Sequence, residues 1–148
     1  MVEYNHPYDA NKHCRADDKL PESPIFGLGT DIIEVPRIGQ MIERHAEHFL
    51  NRVYTDNEIQ YCQRRKNHLQ HFAGRWAAKE AIMKTLGTGW AKGVGWKDIE
   101  VGSATTGQPF VTLHGGARRV ADELGIREIL ITISHCRAYA TATAIATR

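Results

Sequence analysis

Residues 138–147 read AYATATAIAT, and this alternation limits the possible folds more than any other stretch. Successive side chains of a strand point to opposite faces, so here one face carries alanine at every position. A face that thin fills space only if another element packs closely against it. The run from Glu128 to Ser134 also alternates at period two, and His135-Cys136-Arg137 joins the two runs as a hairpin.

A second close approach is encoded near the start. After the polar opening MVEYNHPYDANKHCRADDKLPESP, which lacks either hydrophobic period and reads as a flexible extension over residues 1–24, order is expected to begin at Ile25. IFGLGTDII then predicts a strand in which Gly27 and Gly29 let bare backbone approach a neighbour. A helix should follow, with Pro36 in its first turn and Ile38, Met41 and Ile42 on its inner side.

Thr55-Asp56-Asn57-Glu58 has the form of a capping box and predicts a helix over 56–66. A longer helix is expected over 69–86, stopped by Gly87-Thr88-Gly89. Residues 98–101 and 109–113 read as strands joined by a turn at 106–108, and residues 115–125 as a helix with a glycine stop. Helices first, then strand pairs with one helix between them, give an α+β class: an antiparallel sheet packed with a long helix.

At 148 residues and 42% apolar content, the chain is sized for one domain, taken as residues 25–148. The net charge of +2 argues against a general nucleic-acid binder. Its three cysteines are too scattered for a disulfide framework, and no apolar run is long enough for a spanning helix or secretory signal. A cytoplasmic location without membrane attachment is expected. His45 with His48, and His68 with His71, are three residues apart, which suits zinc poorly.

The chemistry centres on RWAAKEAIMK, residues 75–84. At about 100° per residue, Leu69, Phe72, Ala73, Trp76, Ala77 and Met83 form one arc, with Glu80 inside it and Lys84 beside Glu80. An unpaired buried carboxylate takes up a proton or finds a cation. A Glu80–Lys84 pair one turn apart is one reading. The other is that Asp31, at the end of the glycine-rich strand, shares a hard cation with Glu80; two carboxylates completed by substrate phosphates are a magnesium pattern. Asp31 as a plain turn residue is its bland alternative. His135, in the connection after ITIS, is the histidine best placed to meet a ligand.

GLGTDIIE with Arg37 after it, RVYTDNE (52–58), RWAAKEAIMKTLGTG (75–89), WKDIEV, GQP and ISH, in that order and spacing, resemble the holo-acyl-carrier-protein synthases, the small phosphopantetheinyl transferases. The resemblance runs from Ile25 to about Thr147. It implies magnesium-dependent transfer of 4′-phosphopantetheine from coenzyme A to a serine of apo acyl carrier protein in fatty acid biosynthesis, with release of adenosine 3′,5′-bisphosphate. It also implies Asp31 and Glu80 as magnesium ligands, Lys84 at the pyrophosphate, and Arg52, Arg75, Lys79 and His135 as coenzyme A contacts. A homotrimer with interfacial sites follows from the same likeness, as does an acidic carrier, for which Arg37 and Arg44 are the candidate docking residues. Lys84, Glu80 or a metal-bound water near Asp31 are the possible bases. A magnesium-dependent phosphohydrolase and a non-catalytic coenzyme A-binding module are the rivals.

Overall fold

A computed structural model describes residues 23–88 and 93–148; residues 1–22 of the expected extension, and 89–92, lie outside it. The elements follow in the order β1 (Ile25–Glu34), α1 (Val35–Val53), α2 (Asp56–Gln63), α3 (His68–Leu86), β2 (Ile99–Ser103), β3 (Pro109–Leu113), α4 (Gly115–Glu123), β4 (Glu128–His135) and β5 (Tyr139–Thr147). The α+β expectation holds: β1, β5 and β4 form an antiparallel sheet in that order, and β2 with β3 forms a separate hairpin. Among the described residues, no helix is long and apolar enough to cross a membrane.

The alanine face of β5 does what its thinness demands. Ala140, Ala142, Ala144 and Ala146 are buried beneath α3 in the middle of the sheet. There Thr85 Oγ1 donates to Ala81 O at 2.9 Å and reaches Ala144 O at 3.4 Å. The glycines of β1 serve the same contact. A Cβ on Gly27 would lie 2.9 Å from Thr85 O, and one on Gly29 would overlap Ala81 O. Helix and strand therefore meet backbone to backbone. Gly29→Ala must push them apart, and because the obstacle is main chain rather than a movable side chain the cost should reach the upper end for overpacking, about 3 kcal/mol. A urea unfolding midpoint that yields less than about 1 kcal/mol of lost stability would contradict this contact.

The predicted caps also hold. Thr55 Oγ1 accepts from Glu58 N at 3.3 Å while Glu58 Oε2 accepts from Thr55 N at 2.8 Å, and Gly87 ends α3 in the left-handed conformation at φ 66°. α2 is shorter than expected, ending at Gln63 because the chain turns at Arg64 into the link to α3. His135 is the last residue of β4, opposite Ala140, rather than part of the connection. Within α1, Ala46 interrupts the helix at φ 41°, ψ −126°, a conformation that costs a non-glycine residue about 1–3 kcal/mol.

The reading of α3 as amphipathic does not hold. From Phe72 to Leu86 every residue is buried except Trp76, Glu80 and Lys84, because the sheet covers one side and α1, α2 and β2 cover the rest. Glu80 thus lies on the open strip of a central helix, not in the middle of an apolar face.

Candidate functional site

The strip Trp76–Glu80–Lys84 advances four residues at a time, so all three side chains leave α3 on one side. Lys84 turns toward β1, where its Nζ lies 2.9 Å from Asp31 Oδ1 and donates to Thr30 O at 2.8 Å. The Glu80–Lys84 pair, one of the two readings of this helix, does not form; Lys84 pairs across the strand–helix contact instead. Glu80 has no hydrogen bond or ion pair among the described residues. Burial first, and then the charge of Asp31, push its carboxyl above the usual carboxylate range, while Lys84 pulls the other way. Two acids and a lysine converge here. No cluster of three or more histidine, cysteine or acidic ligands exists among the described residues.

Lys79 has a different task from the expected one. It is fully buried, with its Nζ 2.8 Å from Glu58 Oε2, 3.0 Å from Trp96 O and 2.6 Å from Ile99 O. An ammonium has three donors, and all are used, so Lys79 has none for a phosphate. Glu58 Oε1 meanwhile accepts from Val101 N at 3.0 Å, so one buried pair ties α2, α3 and β2 together.

Arg75 and His135 meet in a cavity of about 160 Å³ on the β4 side of α3, lined also by Tyr61, His71, Gly74 and Ser103. Arg75 is 4% exposed, yet its Nε has no partner; its Nη2 reaches Ser103 Oγ at 3.5 Å. The His71 and His135 rings stand 5.3 Å apart edge to face. The guanidinium carbons of Arg65 and Arg75 lie 3.5 and 3.8 Å from the centre of the Tyr61 ring. Burial pushes the Tyr61 phenol up, but a hydrogen bond with Ser103 and the charges of Arg75 and Arg65 bring it below its ordinary value. A pocket this rich in cations suits an anion.

Burial, followed by His135, Arg65 and Arg75, lowers His71 to about 4. Between that value and the ordinary 6.5 the unfolded chain binds the proton and the folded chain does not. Stability therefore rises with pH across the window; the penalty is full at its acid end and gone at its upper end. Since the ring is partly solvated, about 1 kcal/mol is a fair size for it. Unfolding midpoints measured through this window should flatten in His71→Phe; an unchanged slope would refute the assignment.

Arg52 sits apart from both clusters, on a groove of about 440 Å³ formed by Met41, His45, His48, Phe49, Trp76 and Trp96. Trp76 is at once a wall of this groove and the start of the Glu80 strip. Arg37 and Arg44 are exposed on α1. Sequence reasoning thus named the acids and Lys84, but missed Tyr61, His71 and Ser103. His71 stands one turn before Arg75 on the same helix, and that spacing was the available signal; nothing local links Tyr61 or Ser103 to the cavity.

The profile of the 4′-phosphopantetheinyl transferase superfamily matches residues 27–144. The chain is 50% identical over 121 residues to the holo-acyl-carrier-protein synthase of Koribacter versatilis, an alignment covering 82% of this chain and 97% of that one. Among solved structures, the Neisseria meningitidis synthase superposes with a TM-score of 0.78 at 27% identity, over 84% of this chain and 99% of that one. The Helicobacter pylori synthase in complex with coenzyme A gives 0.72 at 28% identity, over 81% and 99%.

Proposed function

The chain belongs to the 4′-phosphopantetheinyl transferase superfamily, among the holo-acyl-carrier-protein synthases, and on that premise we propose that it transfers 4′-phosphopantetheine from coenzyme A to a serine of apo acyl carrier protein. The serine oxygen bonds to the β-phosphorus, the bond from that phosphorus to the bridging oxygen breaks, adenosine 3′,5′-bisphosphate leaves, and the serine proton is lost. The observation that carries the reading is Glu80: an unpartnered carboxylate beside Asp31, on the one open strip of a buried helix.

That donor set fits magnesium. Such an ion takes one or two carboxylates and fills its remaining positions with water and substrate phosphates, and both oxygens of Glu80 and Oδ2 of Asp31 are free to serve it. When bound, the ion would neutralise charge on the diphosphate. Lys84 spends two of its donors on Thr30 O and Asp31 Oδ1, which fixes Asp31 and leaves the third for a phosphate oxygen.

Arg75, with its orphaned Nε, and His135 supply a second phosphate contact, and Arg52 a third. On α3 Arg75 and Glu80 are about 140° apart around the axis, so within one chain the basic cavity and the acid pair open in different directions. A site shared between chains reconciles them. The uncovered face of the sheet supports such an assembly: Leu28, Ile145 and Leu130 form one row across the three strands, and Leu28 and Ile32 are each 66% exposed. Two further copies of the chain are the occupants proposed for this face, giving a homotrimer. The carrier is proposed to dock over α1, which exposes Arg37 and Arg44 and supplies one wall of the groove that Trp76 closes.

Mass spectrometry of apo carrier protein incubated with coenzyme A tests the activity. A gain of the pantetheine arm only when magnesium is present supports the reading, while consumption of coenzyme A without a carrier would indicate a hydrolase. Sedimentation of the active protein should give three times the chain mass of 16.7 kDa.

A further inference from the structure

We infer that Tyr61 is a positioning residue: its ring, on the cavity that holds Arg75 and His135, keeps the Arg65 guanidinium beside that of Arg75, so that the cationic cluster is assembled before coenzyme A arrives. The inference rests on the proposed transferase reading and concerns how one of its phosphate contacts is built.

The two arginines repel each other, and among the described residues neither has an acidic partner, nor does any acid line the cavity. Something other than an ion pair must therefore hold them. Each guanidinium carbon lies within 4 Å of the Tyr61 ring centre, well inside the roughly 6 Å limit for attraction by the ring quadrupole. Each arginine has one further contact beside the ring: Arg75 Nη2 reaches Ser103 Oγ at 3.5 Å, and Arg65 Nη1 donates to the Tyr61 backbone carbonyl at 3.1 Å. His71 completes the arrangement, its ring 5.9 Å from Tyr61 on one side and 5.3 Å from His135 on the other. The result is a chain of packed rings and planar cations running from Arg65 to His135. Its members come from α2, the link that follows it, α3 and β4.

Preassembly has a defined kinetic meaning. Groups already in place need not be ordered when the ligand binds, so losing the platform weakens ground-state binding and leaves the chemical step alone. Tyr61→Leu should raise the KM for coenzyme A about tenfold, the size expected for loss of two partly desolvated cation–ring contacts, with kcat changed less than about twofold. Tyr61→Phe keeps the ring and should stay within about threefold of the parent KM. Unfolding midpoints of both variants identify any general loss of fold.

Because Tyr61→Leu could destabilise the chain, Arg65→Ala supplies a second route. If Tyr61 acts by holding Arg65, the double variant should bind coenzyme A no more than about twofold more weakly than the worse single one. Fully additive losses would overturn the inference, as would an unchanged KM in Tyr61→Leu, or a Tyr61→Phe variant as impaired as Tyr61→Leu. Calorimetric titration of the parent protein with coenzyme A separates the two claims. No saturable binding there removes the transferase reading itself, whereas normal binding that is indifferent to Tyr61 removes only its positioning role. Parallel titrations with 3′-dephospho-coenzyme A identify which phosphate the cluster holds.

Discussion

Glu80→Gln is expected to slow pantetheine transfer by roughly two to three orders of magnitude without lowering the melting temperature. The two effects separate because of where the charge sits. A carboxyl whose folded pKa is raised stabilises the fold only below its unfolded pKa, and at neutral pH its ionised form is a net cost. Glu80 is such a group, raised by burial and by Asp31, and it has no partner to lose. Glutamine keeps the shape and removes the repulsion, so the fold should be as stable or slightly more so. The diphosphate, however, loses one of the two carboxylates proposed to hold its metal. Asp31→Asn should be as damaging to transfer, with a stability change under about 1 kcal/mol, since the Lys84 side chain it pairs with is 50% exposed. Near-normal transfer in both variants, measured by mass spectrometry of the carrier, would dismantle the proposed metal site.

Lys79→Met is expected to do the reverse. Removing one member of a buried ion pair strands the other, at a cost of about 3–5 kcal/mol; for a chain of this length that corresponds to a fall in melting temperature on the order of 10 °C or more. Glu58 would be left with its charge in the core, still accepting from Thr55 N and Val101 N but with no cation. Pairing the change with Glu58→Gln should return part of the loss, because the stranded charge is gone although the single amide oxygen keeps only one of the two backbone donors. What activity survives should show an unaltered KM for coenzyme A. A variant with the parent melting temperature and a raised KM would instead put Lys79 at the ligand.

The same residue shows where sequence stops being informative. In RWAAKEAIMK, Lys79 and Glu80 are neighbours and look equally available, yet they leave α3 about 100° apart, one into the core and the other onto the open strip. What sends Lys79 inward is Glu58, which also closes the Thr55 capping box. That box was legible because its parts are three residues apart, whereas its second function depends on α2 meeting α3. For the same reason Glu80 was assigned to an apolar arc. Periodicity assumes a helix with a wet side, and α3 has almost none. The strands were legible because alternation is local, and so were Gly27 and Gly29, since glycine in a strand advertises a close neighbour. Asp31 and Glu80 could be paired as two carboxylates for one cation, a reading the family resemblance shares, but the Lys84–Asp31 contact required knowing how β1 crosses α3. The cavity around Arg75 draws on α2, α3, β2 and β4, and only His71 among its missed members had a helical spacing to betray it.

The crossing of β1 and α3 has a further consequence. Asp31 stands two residues beyond Gly29, and Glu80 directly precedes Ala81, whose carbonyl leaves that glycine no room for a methyl group. The distance between the two acids is thus governed by peptide units in contact, a stiff gauge, rather than by how any large side chain settles. Core positions remote from this junction, such as Ile38 or Val120, are accordingly free to be redesigned for hardiness, and the spacing of the two carboxylates should stay in tune throughout.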